Sequence, residues 1–319
     1  KKLKYKTDFD KCVLTDNFAA RGWTRCGDKD DWNIYWATVW NVRNIFIRLN
    51  DMQIINHFPN HYELTRKDLM VKNFKRYKKE LYLYLDFIPQ TFTLPGEYSL
   101  FVEEFHRNPN ATWIVKPASR SQGKGIFLLR KIQQLKKKEA YVVSRYIDNP
   151  LLVGGRKFDL RIYALVTSYR PLKVYLYAMG FGRFCNEQYT QDIMDNMFIH
   201  LTNVAIQKFS DKYSEKHGGK WSLQSLRYYL EMVYGMANKC FDDINNIIIM
   251  SLKSVQSIII NDKHCFEMYG YDILIDENCK PWLIEINASP SLTVTGKVDK
   301  ELKTELIKNV YQIVIPDDW

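Results

Sequence analysis

The stretch Phe266–Leu292, FEMYGYDILIDENCKPWLIEINASPSL, decides the fold of this chain. It contains two short apolar runs, Tyr269–Ile275 and Trp282–Asn287, which are separated by a polar segment with a proline. Runs of this length that are bounded by turn residues are typical of β-strands. Two such runs joined by a short polar turn predict a β-hairpin.

Polar side chains from the two strands of this hairpin are expected to meet. Successive strand residues point to opposite faces of a sheet, so Leu283, Glu285 and Asn287 are predicted to share one face. In a hairpin, Asp272 can lie beside Glu285 and Asn287. Two carboxylates and a carboxamide in one place suit Mg2+, which takes one or two carboxylates together with substrate phosphates. A hairpin with a stray acidic pair explains the same spacing, so both interpretations stand at this level.

The composition is that of a folded protein with a basic surface. The chain has 319 residues, 46% of them hydrophobic, which is enough for a substantial core in two or three lobes. The formal net charge of +10 favours an acidic partner, whether nucleic acid, anionic lipid or an acidic protein surface. No apolar run approaches the roughly 20 residues that span a bilayer. The N-terminus has no secretory pattern, and the cysteines show no disulfide or zinc framework. These features predict a soluble intracellular protein.

A glycine-containing turn between two predicted strands is a candidate phosphate site. Trp113–Lys116 is predicted to be a buried strand that ends on a lysine, and Ile126–Leu129 is predicted to be the next strand. The basic turn between them, 117–125, has the sequence PASRSQGKG. Glycines let backbone N–H groups approach an anion, so this arrangement predicts a hairpin lid over nucleotide phosphates. It is not a Walker A loop, which needs GxxxxGK[ST] leading into a helix.

The run Arg156–Val166, RKFDLRIYALV, alternates sharply between apolar and polar residues. Lys157, Asp159 and Arg161 are predicted to face one side of a strand, opposite the apolar residues. An exposed sheet face would alternate in the same way. In a nucleotide site, the same three side chains would supply an anion ligand, a ribose acceptor and a second cation. The alternation alone leaves both interpretations open.

The densest basic cluster of the chain lies in a predicted helix within 57–81. This cluster is either a solvated helix face or a surface for an acidic partner. Its members are Arg66, Lys67, Lys72, Lys75, Arg76, Lys78 and Lys79. His57 and His61 are four residues apart, but no acidic residue of a ligand motif accompanies them, so we expect no metal there.

Four motifs follow one another along the chain. They are KPxxxxQGKGI, GGRKFDLRIY, HLTNVAIQ and YGYDILID…KPWLIEINASPSL. In this order and spacing they resemble the tubulin tyrosine ligase-like family, and above all its short polyglutamylase members. The resemblance implies an α+β ATP-grasp fold, in which two lobes grip ATP, with an added N-terminal α/β lobe. We expect the N-terminal lobe at 1–88, a central lobe with the phosphate lid at 89–150 and a C-terminal lobe with the Mg2+ site at 151–319.

The resemblance also implies roles for individual residues. Lys116, Arg161 and Glu285 would be the catalytic residues, with Arg161 neutralising the γ-phosphate and the acyl phosphate. Asp272, Glu285 and Asn287 would bind Mg2+.

The ligand-binding residues follow from the same motifs. Gln122, Arg183 and Lys220 would bind the free glutamate substrate. The residues that would bind ATP are Lys116, Gln122, Gly123, Ser144, Arg145, Tyr146, Ile147, Lys157, Asp159, Thr202 and Asn203.

The implied activity is ATP-dependent ligation of free L-glutamate to a glutamate side chain or glutamyl chain on tubulin C-terminal tails, through an acyl phosphate. In the family, glutamine at the position of Gln122 accompanies chain elongation, so we expect elongation. Two alternatives remain: a structural microtubule- or axoneme-bound ATP-grasp subunit with little turnover, and a ligase of glycine on tubulin. A protein kinase is disfavoured because no HRD…N and no DFG motif is present.

The expected partners are tubulin tails and microtubules, which a basic surface would attract. The chain ends at Trp319, soon after the catalytic motifs, so we expect accessory subunits of a polyglutamylase complex and low activity alone. The connections near Leu81–Tyr82 and Lys136–Glu139 look shorter than those of the family. We expect no nucleic acid or membrane partner, and a location in the cytoplasm and cytoskeleton, including the ciliary axoneme and basal body.

Overall fold

The residues that the structure describes form three β-sheets. The computed structural model describes residues 3–27, 31–42, 45–81, 85–118, 123–136, 139–193, 195–212, 219–316 and 319. Each sheet falls within one of the three predicted lobes, and the lobe boundaries themselves stay a prediction. Helix and strand are mixed along the chain, as expected for an α+β protein.

The first sheet is parallel and has the strand order β2-β1-β3-β4. Its strands are β1 (Lys4–Thr7), β2 (Thr24–Arg25), β3 (Ile34–Trp36) and β4 (Ile54–Ile55). Helix α1 (Cys12–Ala20) follows β1, and helices α2 (Tyr62–Thr65) and α3 (Lys67–Leu81) follow β4. The core of this region is shared with the far end of the chain, because Phe18 and Trp36 both contact the ring of Tyr311.

The second sheet is antiparallel, with the order β5-β8-β6-β7. Its strands are β5 (Thr91–Leu94), β6 (Trp113–Pro117), β7 (Phe127–Leu129) and β8 (Tyr141–Arg145), and helix α4 (Tyr98–Arg107) lies between β5 and β6 in the chain. The ring of Phe101 from α4 packs edge-on against that of Trp113, with 5.2 Å between the ring centroids. This packing holds the sheet that carries Lys116.

The third sheet has the central order β13-β12-β10-β14-β15, with β9 and β11 also paired to β10. Its strands are β9 (Leu152–Val153), β10 (Arg156–Tyr169), β11 (Leu172–Leu176), β12 (Phe181–Phe184), β13 (Lys220–Ser222), β14 (Glu267–Ile275) and β15 (Pro281–Asn287). The helices of this part are α5 (Met197–His200), α6 (Val204–Gln207), α7 (Leu223–Tyr234), α8 (Ala237–Gln256) and α9 (Lys297–Val314).

The two faces of β10 have different neighbours. Phe158, Leu160 and Ile162 belong to the same buried core as Ile244 and Ile248 of α8. Apolar residues spaced three and four apart give α8 the stripe that covers this face. The polar side chains on the other face of β10 are also buried. The interpretation of β10 as a strand with a solvent-exposed polar face is therefore wrong.

The predicted hairpin exists as β14 and β15, but it contains a register shift. Asp272 pairs with Glu285, whereas the next residue, Ile273, pairs with Leu283. The extra residue in β15 forms a β-bulge, which changes the face to which the side chains beyond it point. The prediction that Leu283 shares a face with Glu285 and Asn287 is wrong, because Leu283 packs in the core with Ile273.

Candidate active site

A solvent-open cleft of about 1130 Å³ is lined by strands of the second and third sheets and by the start of α3. Most of the predicted site residues line this cleft. They are Lys116, Gly123, Ser144, Arg145, Tyr146, Ile147, Lys157, Asp159, Thr202, Asn203, Asp272 and Glu285. Its apolar lining includes Ile114, Val142 and Leu274. Pockets that combine apolar walls with a few convergent polar groups are typical ligand sites.

The remaining predicted residues have different positions. Arg161, Arg183 and Asn287 contact residues that line the cleft, and Lys220 lies beside Asp299 further along the same sheet. Gln122 lies outside the residues that the structure describes, so its roles in ATP binding, glutamate binding and elongation stay predictions.

The three predicted Mg2+ ligands converge at the end of the hairpin. The cross-strand pair Asp272–Glu285 puts the two carboxylates on one face, and Asn287 lies opposite Gly270, two residues from Asp272. The Asn287 Nδ2 is 3.5 Å from Asp272 Oδ2 and 3.4 Å from Glu285 Oε1. The two carboxylates fit the chemistry of Mg2+, and Asn287, whose Nδ2 faces them here, would offer its Oδ1 to a metal once the amide has rotated.

Two arginines hold the Asp272 carboxylate. Arg161 donates from Nε to Oδ1 over 2.6 Å and from Nη2 to Oδ2 over 3.2 Å. Arg183 Nη2 lies 2.8 Å from the same Oδ2. Burial by itself would raise the pKa of Asp272, but the charges and hydrogen bonds of the two guanidiniums outweigh it and hold the pKa well below its ordinary value. Asp272 is therefore an anion at any physiological pH.

Lys116 stands at the end of β6, as its position in the sequence predicts. It is buried, and burial lowers the pKa of its ammonium from 10.5 to about 8, although the nearby Glu285 carboxylate opposes the shift. A buried lysine with a lowered pKa in a cleft is typical of a functional site. Its charge is compensated only partly within the protein, which favours an anionic ligand.

The lid turn after β6 needs glycine at its described end. Gly123 has a φ of +76°, and a Cβ placed there would lie 2.5 Å from Ile206 Cδ1. A residue with a side chain would be strained at this φ, and its Cβ would displace the end of the Ile206 side chain. Gly123 brings the turn close to Asn203, which lines the same cleft.

A hydrogen-bonded chain forms one wall of the cleft. Lys157 Nζ donates to the Tyr146 hydroxyl over 2.8 Å, and that hydroxyl lies 2.9 Å from His200 Nδ1. His200 Nε2 lies 2.9 Å from the Ile193 carbonyl oxygen. Burial lowers the pKa of His200, so the neutral ring donates to the carbonyl and accepts from the tyrosine. His200 belongs to the HLTN motif, but its position beneath Tyr146 has no local sequence signal.

Lys67 is a site residue that the sequence interpretation missed. The basic cluster of the predicted helix was expected to face solvent or an acidic partner as a whole. Lys67 instead begins α3 at the cleft, and its Nζ lies 3.1 Å from Glu285 Oε2. This pair joins two segments that are more than two hundred residues apart, so no local pattern could have revealed it.

Arg183 and Lys220, which are expected to bind glutamate, both form ion pairs within the protein. Arg183 donates from Nε to Asp159 Oδ1 over 2.8 Å and from Nη2 to Asp159 Oδ2. Lys220 Nζ lies 3.1 Å from Asp299 Oδ1 and donates to Thr295 Oγ1 over 2.8 Å. Thr202 Oγ1 donates to Asp159 Oδ2 over 2.7 Å, so Asp159 joins the cleft to Arg183.

A carboxylate from a distant segment lies beside the two histidines. His57 Nδ1 lies 2.8 Å from Glu267 Oε1, and His57, His61 and Glu267 all lie close together in the core. Glu267 comes from β14, far along the chain, so it forms no ligand motif with the histidines in the sequence, and the expectation that no metal binds there stays a prediction. Glu267 also accepts from the Phe58 backbone N–H over 3.0 Å, so its contacts fasten the 57–61 segment to the sheet.

Two antiparallel sheets that line one cleft fit an ATP-grasp-like α+β class of protein. Residues 47–318 match the tubulin-tyrosine ligase family, and the chain belongs to this family. No described helix is both long and apolar enough to cross a membrane.

Several relatives are polyglutamylases by name. The chain is 88% identical to "Probable alpha-tubulin polyglutamylase Ttll1" of Tetrahymena thermophila, over 100% of the chain and 87% of that protein. It is 46% identical to "Probable tubulin polyglutamylase TTLL9" of Bos taurus, over 98% of the chain and 79% of that protein. It is 37% identical to "Tubulin polyglutamylase TTLL5" of Homo sapiens, over 89% of the chain and 24% of that protein.

Proposed function

We propose that the protein is an ATP-dependent tubulin polyglutamylase. It joins free L-glutamate to a glutamate side chain or glutamyl chain on tubulin C-terminal tails. The observation that carries the proposal is the single cleft in which Lys116, Asp272 and Glu285 surround an apolar pocket, in a chain of the tubulin-tyrosine ligase family. The relatives named as tubulin polyglutamylases support tubulin as the substrate.

The chemistry needs an activated carboxylate. An oxygen of the acceptor carboxylate takes the γ-phosphoryl group of ATP, and ADP leaves. The amine of free glutamate then attacks the carbonyl carbon of the acyl phosphate, the amine loses a proton, and inorganic phosphate leaves with the oxygen that had carried it. An amide bond replaces the carboxylate, and no covalent protein nucleophile is required.

The protein contributes charge and position. Phosphoryl transfer depends on neutralising the transferred group, and preorganised cations in a buried site do this well. Lys116 and Lys67 face Glu285 in the cleft and can hold phosphate oxygens. Arg161 keeps its Nη1 outside the bonds to Asp272 and can face the γ-phosphate and the acyl phosphate. Mg2+ held by Asp272, Glu285 and Asn287 would supply further positive charge at the phosphates.

The acidic tail needs a route to the cleft. Lys67 lies at the cleft, and α3 continues from it with Lys72 and Lys79 exposed. These two lysines are seven residues apart and lie on one face of the helix. The exposed face of α3 can therefore guide a polyacidic peptide toward the cleft by long-range attraction, which salt would weaken.

The finer parts of the proposal are chain elongation, accessory subunits and a ciliary location. Elongation rests on Gln122, and the need for partner subunits rests on the family members that the motifs resemble. We propose cytoskeletal association, including the ciliary axoneme and basal body, because tubulin is the substrate.

Mass spectrometry of tubulin tests the proposal directly. Tubulin is incubated with the protein, ATP, Mg2+ and L-glutamate, with and without candidate partner subunits, and Glu285→Gln serves as the control. We expect added glutamyl masses with the wild-type protein and none with the variant. Parallel reactions with glycine in place of glutamate test the donor. No added mass under any condition would favour a structural microtubule-bound protein, and added glycyl mass alone would make it a glycine ligase.

A further inference from the structure

Two ion pairs lie side by side on the polar face of the third sheet. Asp159 of β10 is the cross-strand partner of Arg183 on β12, and Arg161 of β10 is the cross-strand partner of Asp272 on β14. The two acids line the cleft, whereas the two arginines are buried beside it. Opposite-charge pairs directly across strands stabilise a sheet, but these pairs also connect two ligand sites.

Asp159 uses both carboxylate oxygens at once. Its Oδ1 accepts from Arg183 Nε, and its Oδ2 accepts from both Arg183 Nη2 and the Thr202 hydroxyl. The two parallel bonds to Arg183 fix the rotation of the planar guanidinium, as bidentate pairs do. Arg183 Nη1 has no hydrogen bond to any residue that the structure describes, so it is the edge left for a substrate carboxylate.

Thr202 and Asn203 bring the nucleotide side of the cleft to the same carboxylate. Thr202 bonds to Asp159, and both Thr202 and Asn203 line the cleft next to the lid glycine. A ribose hydroxyl in the cleft would compete for, or add to, the bonds on Asp159. Any such change acts on Asp159, which together with Asp272 sets the orientation of Arg183.

We propose that Asp159 is a positioning residue that couples the nucleotide site to the amino-acid site by orienting Arg183. This inference rests on the proposed function, in which the cleft binds ATP, and on the role in binding L-glutamate that the family resemblance implies for Arg183. An occupied cleft holds Asp159, and therefore Arg183, in the geometry that binds the amino acid. Coupling between two ligands is reciprocal, so glutamate raises nucleotide affinity by the same factor.

Equilibrium binding tests this coupling without turnover. The Kd of labelled L-glutamate is measured with and without a non-hydrolysable ATP analogue and Mg2+, on the wild-type chain. We expect the analogue to tighten glutamate binding about five- to twentyfold. Asp159→Asn should bring this ratio close to one. The exposed Asp192→Asn is the matched control and should keep the wild-type ratio.

Arg183→Lys separates positioning from a general structural effect. Lysine keeps the charge but cannot form the bidentate pair. The affinity of this variant for the ATP analogue alone is its own reference, because Arg183 also contacts Asp272 Oδ2. Its nucleotide affinity should no longer respond to glutamate. Circular dichroism melting of all variants shows whether they are folded.

The outcomes are distinct. If Asp159→Asn weakens both ligands but keeps the wild-type ratio, Asp159 is only a structural or direct ligand group and the coupling is refuted. If the wild-type chain binds both ligands without coupling, this inference fails and the proposed function stands. If the wild-type chain binds neither ligand, the proposed function fails and the inference fails with it.

Discussion

Two carboxylates on the same strand, Glu267 and Asp272, are both buried and both paired, yet they face different surroundings. Glu267 is 0% exposed, and its oxygens are taken by His57 Nδ1 and the Phe58 N–H. Asp272 is 2% exposed, but it lines the cleft, and its partners are the side chains of Arg161 and Arg183.

The difference separates a carboxylate that holds the fold from one that is available for chemistry. A buried charge costs free energy unless it is paired and hydrogen-bonded. For Glu267 the partners belong to a separate segment of the chain, so the pairing joins two regions. For Asp272 the partners belong to β10 and β12 of its own sheet, and the carboxylate itself lines the cleft.

The largest expected effect is a loss of activity when Asp272, which lines the cleft, is substituted. Asp272→Asn should lower glutamate ligation at least about 100-fold, because it removes a charge from the metal-binding trio and from both arginines. Its melting temperature should fall as well, because Arg161 and Arg183 are buried and lose the anion that they share. Incorporation of labelled glutamate into tubulin and thermal unfolding measure the two effects. Activity within tenfold of wild type would remove Asp272 from the site.

Substitution of Glu267 should lower stability without lowering activity. Glu267→Gln places an amide donor against the Phe58 N–H or the His57 ring, so we expect the free energy of unfolding to fall by about 3 kcal/mol. Activity per folded molecule should be retained. Denaturant unfolding measures the loss, with the exposed Glu301→Gln as the matched control. A variant as stable as the control would show that the pairing does not hold the two regions together.

A smaller effect on nucleotide affinity is expected from pH, through the ammonium group of Lys116. The pKa of Lys116 is lowered to about 8 in the free protein, so its ammonium is charged below that pH and neutral above it. A bound phosphate favours the charged form, so nucleotide affinity should fall as pH rises past 8, up to about tenfold per pH unit. Titration calorimetry from pH 6.5 to about 9.5 measures it. Lys116→Arg should lack the inflection; the same inflection in this variant would assign it to another group.

The smallest effect is expected outside the cleft, on α3. The double variant Lys72→Glu with Lys79→Glu should raise the KM for tubulin several-fold at low salt and leave kcat unchanged, because surface charges act mainly on encounter. Steady-state kinetics at two salt concentrations measure it, and Lys173→Glu on β11 is the control. An equal rise in the control would assign the effect to net charge instead of to α3.

Much of the site could be predicted from local sequence. The alternation of β10 placed Lys157, Asp159 and Arg161 on one face, and the lysine at the end of β6 was predicted from a short buried run. The hairpin predicted the meeting of Asp272 and Glu285. These features depend on strand periodicity, which acts over a few residues and is visible in the sequence.

Other features depend on contacts across long distances in the chain. The pairs Lys67–Glu285 and His57–Glu267 join the first and last thirds of the protein, and no local sequence pattern near either partner predicts them. The bulge that turns Leu283 into the core depends on how β15 packs against β14. Local spacing alone placed that residue on the wrong face.

The sequence by itself determined the elements, the order of the motifs and the chemical types gathered on β10, β14 and β15, because strand and helix periods and turn residues act locally. The tertiary structure alone decided that Glu267 is enclosed in the core whereas Asp272 lines the cleft. It also decided that Asp159 orients Arg183 and that Lys67 lies at the cleft. The physical reason is that solvent access and ion pairing are set by groups brought together from distant segments, and burial decides what each charge must pair with.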